Sequence, residues 1–256
     1  MATLGIDIGS ITTKAAVVDD GKLLGTTVGF TGYNIGKAWR HVTDELLGEL
    51  GLEFSAMGKI VSTGYGRNGV DAAHKAITEI TCHAAGAHFC APHVRSIIDI
   101  GGQDSKSILL DDSGKVKDFA MNDKCAAGTG RFLEVMARAL QVDLEEFGEI
   151  SLQAEKPGRI SSLCTVFAES EVISLISKGE GRENIIAGIH ESIATRVAAM
   201  ASRVGVREPV MMTGGVAKNI GVVRAMENKL GLKIEVSEFA QVMGAIGAAV
   251  MAANLE

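Results

Sequence analysis

Two short segments of the chain carry an aspartate, a glycine turn and a lysine at the same spacing. Residues 6–19 read IDIGSITTKAAVVD and residues 98–111 read IDIGGQDSKSILLD, so that Asp7 corresponds to Asp99 and Lys14 to Lys106. The backbone N–H groups of a glycine turn can bind an anion, and an aspartate at the end of a strand can hold a hard cation. The alternative is two ordinary hairpins with glycine turns. Two matched copies favour instead two halves that face one phosphate ligand.

A third glycine turn follows another apolar strand. Residues 209–219 read PVMMTGGVAKN, which predicts a strand, a glycine pair and then a helix. The pair Gly214 and Gly215 would let a flat base or a ribose lie against the backbone. None of the three turns carries G-x-G-x-x-G or G-x-x-x-x-G-K-S/T, which argues against a Rossmann dinucleotide site and against a P-loop.

The elements that must position these turns follow from the hydrophobic pattern. Apolar alternation predicts β structure up to about Phe30, a short strand at 59–62, and strand–turn–strand again from Ser96. Helical spacing predicts helices at 36–50, 72–89, 130–140, 167–176, 184–204 and 244–253. We place a hinge near Pro92, and the mixture of strands and helices predicts an α/β protein.

Composition narrows the class of protein. The 256 residues suffice for two domains, and 46% hydrophobic residues with 31 glycines and 3 prolines are typical of compact α/β domains. The net charge of −6 argues against nucleic acid as a partner. No apolar stretch is long enough to span a membrane, and the chain enters a strand too early to leave room for a signal peptide. We expect a cytoplasmic protein.

Four cysteines raise the question of a metal. Cys125 and Cys164 each precede a predicted helix, where the N-terminus favours a thiolate that can bind metal. The alternative is that they are small buried hydrophobic residues. Cys82 and Cys90 lie eight residues apart in an apolar helical stretch, and we interpret them as core residues. No C-x-x-C pair occurs, which argues against a zinc site within one chain.

Several motifs resemble those of a known family. The three turns resemble the two phosphate motifs and the adenosine motif of the actin-like ATPase superfamily. Within it, MNDKCAAGTGRF at 121–132 and CTVFAESE at 164–171 resemble the two signatures of activators of 2-hydroxyacyl-CoA dehydratases, a family that includes ATPase subunits of benzoyl-CoA reductases. TGYGR at 63–67 and GGQD at 101–104 also fit. The resemblance covers essentially the whole chain.

This resemblance implies a two-domain actin-like ATPase (ribonuclease H-like) fold, with duplicated mixed-sheet domains and an interdomain nucleotide cleft. Domain I would comprise residues 1–93 and 243–256, and domain II residues 94–242. ATP or ADP would bind with Mg²⁺ organised by Asp7 and Asp99, and Gln103 or Asp104 would orient the attacking water. The nucleotide-binding residues implied are Gly9, Ser10, Ile11, Thr12, Thr13, Lys14, Gly101, Gly102, Lys106, Gly214, Gly215, Val216, Asn219 and Gln241.

The resemblance also implies a redox function. Cys125 and Cys164 from both subunits of a homodimer would hold one 4Fe–4S cluster, since such a cluster takes four thiolates and one chain supplies two. Ferredoxin or flavodoxin would reduce it. ATP hydrolysis would change the interdomain angle and drive a low-potential electron to a 2-hydroxyacyl-CoA dehydratase.

Three alternatives remain open at this point. The partner could be a benzoyl-CoA reductase core. The chain could instead be a small-molecule kinase of the same superfamily, with its cysteines used only for packing. It could also be a nucleotide-gated interaction module with negligible turnover. Glu169 and Glu171 follow Cys164 closely. We expect them to lie in the first turn of a helix, where they would complement its dipole. The alternative is that they contact a second subunit.

Overall fold

The computed structural model describes residues 1–161 and 164–255. The chain divides into two compact units. The first comprises Met1–Val94, Leu110–Lys117 and Gln241–Glu256, and the second comprises Arg95–Leu109 and Asp118–Ala240. No described helix is both long enough and apolar enough to cross a membrane.

Two five-stranded mixed sheets repeat one topology. The first sheet has the order β3-β2-β1-β4-β5 and the second the order β8-β7-β6-β9-β10. In each, the first strand pairs antiparallel with the second and parallel with the fourth. The predicted duplicated mixed-sheet α/β fold is therefore confirmed. The strands are β1 Thr3–Ile8, β2 Thr12–Asp19, β3 Lys22–Phe30, β4 Ile60–Thr63, β5 Lys75–Ala76, β6 Ser96–Ile100, β7 Ser105–Leu110, β8 Val116–Asn122, β9 Val210–Thr213 and β10 Ile234–Val236.

Eight α-helices accompany the sheets in the part of the chain that the structure describes. They are α1 Ile35–Leu50, α2 Glu79–Cys90, α3 Gly130–Leu140, α4 Phe147–Ser151, α5 Thr165–Ser177, α6 Arg182–Val204, α7 Ile220–Leu230 and α8 Met243–Ala253. The predicted helix 130–140 is confirmed at both ends, and four others are confirmed to within two residues. The short α4 was not predicted.

The prediction of a helix over 72–89 was wrong in its first part. Residues 75–76 form β5, which pairs parallel with β4, and α2 begins only at Glu79. Thr78 caps α2 by accepting a hydrogen bond from the N–H of Thr81. Sheet pairing outweighs the helical preference of the alanine-rich segment before this cap.

The closing helix α8 packs against β1 and α2 within the first unit. Small residues make this contact close. A Cβ at Gly5 would collide with the Ala245 carbonyl, and one at Gly247 would collide with the Cys82 carbonyl. Helix α8 thus packs directly against β1, the strand that carries Asp7, and supports the end of that strand.

Candidate functional site

Each repeated segment folds into a hairpin that pairs its aspartate with its lysine. Asp7 lies opposite Lys14 in the β1–β2 register, and Asp99 lies opposite Lys106 in the β6–β7 register. The Nζ–Oδ2 distances are 3.1 Å for Lys14–Asp7 and 3.0 Å for Lys106–Asp99. Both aspartates are buried. A buried carboxylate must be compensated, and the lysine opposite each aspartate supplies that compensation at the end of the central strand.

The second pair is the more enclosed of the two. Lys106 also contacts Asp104 Oδ2 at 2.6 Å, and its side chain is 2% exposed, compared with 13% for Lys14. The Thr213 hydroxyl donates to Asp99 Oδ1 at 2.9 Å. Both oxygens of Asp99 therefore have protein partners, and these fix the orientation of the carboxylate.

A glycine at the end of the neighbouring parallel strand packs against the strand that carries each aspartate. Gly64 follows β4 with φ of +89°, and Gly214 follows β9 with φ of +85°. A Cβ at Gly64 would collide with the Ile8 carbonyl, and one at Gly214 with the Ile100 carbonyl. Only glycine fits a position that has both a positive φ and this backbone contact.

The close contacts of Gly64 and Gly214 extend the internal repeat beyond the two hairpins. Thr63 lies opposite Asp7 in the β1–β4 register, and Thr213 lies opposite Asp99 in the β6–β9 register. Each threonine is followed directly by the glycine described above. Sequence reasoning missed this correspondence. Its signal is the pair Thr-Gly after an apolar strand at both 63–64 and 213–214, but the helices α3 to α6 lie between the second copy and its hairpin.

The first glycine turn is braced by a residue that sequence reasoning missed. Thr31 Oγ1 donates to the Gly9 carbonyl at 2.9 Å and is hydrogen-bonded to Thr13 Oγ1 at 2.9 Å. Thr13 is buried, whereas Ser10 is exposed and Ile11 and Thr12 are half-buried. The hydroxyl of Thr13 therefore holds the turn, and Ser10 is the most exposed of the predicted hydroxyl residues.

In the second glycine turn, Gln103 and Asp104, the two candidates for orienting the attacking water, lie in different environments. The Gly101 N–H donates to the Asp104 carbonyl at 2.9 Å, and the Asp104 carboxylate binds Lys106. Gln103 is exposed. The turn also contacts α3, because the N–H of Gly130 donates to the Gly101 carbonyl at 2.9 Å and the N–H of Arg131 to the Gly102 carbonyl at 2.8 Å.

The third turn is open on one side. At Gly215 a Cβ would meet no described atom within 4 Å outside its own neighbours, which leaves space for a planar group against the backbone. Val216 is buried beneath this turn, and Gln241 is half-buried. Asn219 caps α7 by accepting from the Val222 N–H at 3.1 Å, so the structure assigns it a structural contact that the sequence did not predict.

Behind Asn219 lies a buried histidine. His190 Nε2 is 3.4 Å from Asn219 Nδ2, its Nδ1 is hydrogen-bonded to Ser151 Oγ at 3.0 Å, and its ring packs edge-on against Phe147. Burial lowers the pKa of His190 to about 3. The ring is therefore neutral at ordinary pH and supports the α7 end of the third turn as a packing element.

The four cysteines occupy different environments. Cys82 is buried in α2, and burial raises the pKa of its thiol to about 12. Cys125 is half-buried in the loop before α3, and Cys164 is the exposed residue that precedes α5. Among residues 1–161 and 164–255, no group of three or more His, Cys, Asp or Glu side chains could hold a metal. Cys90, the last residue of α2, is half-buried like Cys125, so the interpretation as a core residue is confirmed for Cys82 and was wrong for Cys90. Cys125 and Cys164 would give a four-thiolate cluster two of its ligands, and a second copy would have to supply the other two.

The acidic residues after Cys164 do not lie where the sequence predicted. Helix α5 begins at Thr165, so its first turn contains no acid. Glu171 instead accepts hydrogen bonds from the N–H of Ser161 at 2.7 Å and from its hydroxyl at 2.6 Å. This contact joins α5 to the segment that leads towards Cys164. Ser162 and Leu163, which separate Ser161 from Cys164 in the sequence, lie outside the described residues.

The duplicated sheets, with an acidic strand end in each, define an actin-like ATPase fold. Solved structures of low identity share it, including a ROK family glucokinase from Streptomyces griseus (14% identity, TM-score 0.61, covering all of both chains). The chain belongs to the BadF/BadG/BcrA/BcrD ATPase family, whose profile matches residues 4–252.

Relatives named as dehydratase activators or components are similar to this chain over nearly their whole length. The activator of lactoyl-CoA dehydratase from Anaerotignum propionicum is 51% identical over 98% of this chain and 97% of its own. The (R)-2-hydroxyglutaryl-CoA dehydratase component A of Acidaminococcus fermentans is 46% identical, with a TM-score of 0.96 over 99% and 98% of the two chains. The activator of the 2-hydroxyisocaproyl-CoA dehydratase from Clostridium difficile, solved with bound ADPNP, is 46% identical, with a TM-score of 0.94 over 99% and 95%.

A more distant relative is a subunit of a different enzyme. One of the subunits of benzoyl-CoA reductase from Thauera aromatica is 37% identical over 81% of this chain and 76% of its own.

Proposed function

We propose that this chain is an ATP-hydrolysing activator that passes one electron to a 2-hydroxyacyl-CoA dehydratase. Three relatives that match this chain over nearly their whole length are 46–51% identical to it. Two are named as activators of a 2-hydroxyacyl-CoA dehydratase and one as component A of such an enzyme. The observation that carries the proposal is the direct hydrogen bonding of the second glycine turn to the helix that follows Cys125. The backbone of a candidate phosphate site is thereby joined to the segment that carries a candidate cluster ligand.

The nucleotide half of the proposal assigns one ATP·Mg²⁺ to both glycine turns. The backbone of Gly9 and of Gly101–Gly102 would hold phosphates, while Lys14 and Lys106 would supply positive charge. Asp7 and Asp99 fit Mg²⁺ held through water, because one oxygen of each is already bound to a lysine. The glycine pair Gly214–Gly215 would receive the adenosine. The chain's contribution to phosphoryl transfer is then positioning and charge stabilisation.

The lysines have a second role in this proposal. Each lysine compensates a buried aspartate. A bound triphosphate would compete with the aspartate for the same Nζ, and the carboxylate would then be freer to hold the metal's water. Asp104, which shares Lys106, would be released in the same way. Gln103 is the accessible alternative for orienting the attacking water.

The redox half assigns one 4Fe–4S cluster to Cys125 and Cys164 of two copies. When bound, the cluster would supply a single low-potential electron. Cys164 is the N-cap residue of α5, and Cys125 lies in the loop before α3, four residues ahead of the N-cap Thr129. Helix α5 exposes Val166 and Phe167 in the turn that follows Cys164, and Ile173 and Ile176 further along, and a second copy would cover these apolar side chains. The proposed partners are a homodimer mate, the dehydratase, and ferredoxin or flavodoxin as donor, in the cytoplasm.

Anaerobic purification tests this function. We expect a brown dimer with four iron atoms for every two chains, ATP hydrolysis, and activation of a dehydratase component by the reduced protein. Cys125→Ser and Cys164→Ser should each lose the iron and the activation. Cys90→Ser, in α2, is the matched control and should keep both. A colourless protein that consumes ATP only when a phosphoryl acceptor such as a sugar is supplied would instead indicate a small-molecule kinase, and a protein without turnover in either assay would indicate an interaction module.

A benzoyl-CoA reductase core is a second candidate partner, favoured by the 37% identity to one subunit of that enzyme. Reconstitution separates the two. The reduced protein is mixed with a 2-hydroxyacyl-CoA dehydratase component or with a benzoyl-CoA reductase core, and product is measured in each. We expect product only in the first mixture. Turnover only in the second would replace the dehydratase as partner and leave the ATPase and cluster assignments in place.

A further inference from the structure

Cys125 has a cationic hydrogen-bond donor from a distant part of the chain. Nη1 of Arg196, which lies on α6, donates to Cys125 Sγ at 3.2 Å. The two residues are 71 positions apart, so only the fold brings them together. The contact is half-buried, which makes the charge–sulfur interaction stronger than it would be in open solvent.

The loop that carries Cys125 is built to present its sulfur to this arginine. The Asn122 side chain accepts from the Cys125 N–H at 3.3 Å and donates to its carbonyl at 2.8 Å. The Thr129 hydroxyl donates to the Ala126 carbonyl at 2.6 Å. The two bonds from Asn122 satisfy both backbone groups of Cys125, so contacts within the loop fix its position.

A glycine leaves room for the arginine stem. Gly128 has φ of +91°, and a Cβ there would lie 3.0 Å from Arg196 Cδ. The turn after Cys125 therefore combines a backbone conformation that favours glycine with the passage of the Arg196 side chain. The sequence Cys-Ala-Ala-Gly is explained by this contact at its first and last positions.

Other positive charges lie near the same loop but are placed differently. A cavity of about 720 Å³ is lined by Lys124 and Asn122 from the loop, and by Arg159, Arg196 and Arg203. Arg203 lies on α6 seven residues after Arg196 and is exposed. It carries the same charge on the same cavity and makes no hydrogen bond to the sulfur within the described chain. It is therefore a matched control for Arg196.

We propose that Arg196 sets the reduction potential of the group bound at Cys125, by donating an N–H to the sulfur and placing a positive charge beside it. This inference rests on the proposed function, in which Cys125 is a cluster ligand. Hydrogen bonds to cluster sulfurs and nearby positive charge both stabilise the reduced, more negative state and raise the potential. The step concerned is the uptake of one electron by the cluster, with no bond formed or broken. Arg196 is a positioning and tuning residue in this role.

The test is the midpoint potential of the purified dimer, measured by EPR-monitored titration with Ti(III) citrate as the one-electron reductant. Wild type, Arg196→Met, Arg196→Gln and Arg203→Met are compared. Arg196→Met should be harder to reduce by at least about tenfold in the electron-transfer equilibrium, about 59 mV for a one-electron couple. Arg196→Gln, which loses the charge, should shift in the same direction. Arg203→Met should stay close to wild type.

The outcomes are distinguishable from a failure of the proposed function. Wild type without iron would refute the cluster and with it this inference. A wild-type cluster with equal potentials in Arg196→Met and wild type, or with the same shift in Arg203→Met, would overturn the role of Arg196 alone. If Arg196→Met does not assemble the cluster, Arg196→Gln decides by the same criterion. The Fe–S stretching bands in resonance Raman spectra give a second readout, because loss of an N–H···S bond changes them only at the ligand concerned.

Discussion

The backbone N–H of Gly130 donates to the Gly101 carbonyl at 2.9 Å, and this bond joins the second glycine turn to the start of α3. Gly130 is also close to the third turn, since a Cβ there would lie 3.3 Å from Val216 Cγ2 and 3.2 Å from the Gly101 oxygen. Cys125 lies five residues earlier in the same loop. Movement of the second turn on binding phosphate would therefore be transmitted to the cysteine loop through backbone, without any side chain as intermediary.

Gly130→Ala tests this link. The added methyl requires shifts of a few tenths of an ångström between α3 and the two turns, so we expect nucleotide to bind while its effect on the cysteine loop weakens. The coupling should fall by about 1 kcal/mol, roughly fivefold in the ratio of iron-chelation rates with and without ATP. Gly48→Ala in α1, where no described atom beyond the helix would touch the methyl, is the control. An unchanged ATP effect in Gly130→Ala would exclude this route.

The two Asp–Lys pairs predict unequal costs of losing the lysine. Lys106 is almost fully buried and compensates both Asp99 and Asp104, whereas Lys14 compensates Asp7 alone and is more exposed. Removing one partner of a buried pair costs about 3–5 kcal/mol. We therefore expect Lys106→Met to lower the free energy of unfolding by an amount in this range, and Lys14→Met to lower it by less. Urea unfolding without nucleotide measures both, and equal losses would contradict the asymmetry.

Local sequence patterns predicted the parts of the site that are local. The alternating strands around Gly9 and Gly101 fold into the expected hairpins, and helix 130–140 was predicted correctly at both ends, because each depends on neighbouring residues. The predicted nucleotide and cluster roles of these residues stay predictions. What the sequence could not supply are contacts between distant segments. Arg196 beside Cys125 is one example, and Glu171 beside Ser161 is another.

The failed part of the fold prediction has the same origin. Residues 72–78 have helical composition, but the open edge of β4 offers sheet hydrogen bonds to 75–76. Likewise, the match between Thr63–Gly64 and Thr213–Gly214 becomes visible only when the two sheets are compared strand by strand. A pattern within one element cannot reveal which edge or which strand will be its neighbour.

Stability should depend on pH through His190. Its folded pKa of about 3 lies below the ordinary value of 6.5, so between these values the unfolded state binds the proton and the folded state does not. The stabilisation is complete above pH 6.5 and is lost as the pH falls, at about 1.4 kcal/mol per pH unit. Urea unfolding between pH 7 and pH 5 measures the slope. His190→Gln cannot titrate and should show a flatter slope over this range, whatever its absolute stability; an equal slope would assign the dependence to other groups.

Gly214→Ala separates backbone strain from backbone collision. Gly231, at the end of α7, also has a positive φ, but its Cβ would meet no described atom within 4 Å. Gly231→Ala should therefore cost only the left-handed strain of about 1–2 kcal/mol. Gly214→Ala adds a collision with the Ile100 carbonyl and a close contact with Asp99 Oδ1. We expect a larger loss of unfolding free energy and, in the folded fraction, weaker binding of an ATP analogue in calorimetry. If the two variants lost the same stability and both bound nucleotide as wild type does, the close crossing of Gly214 over the β6 strand end would have no part in the site.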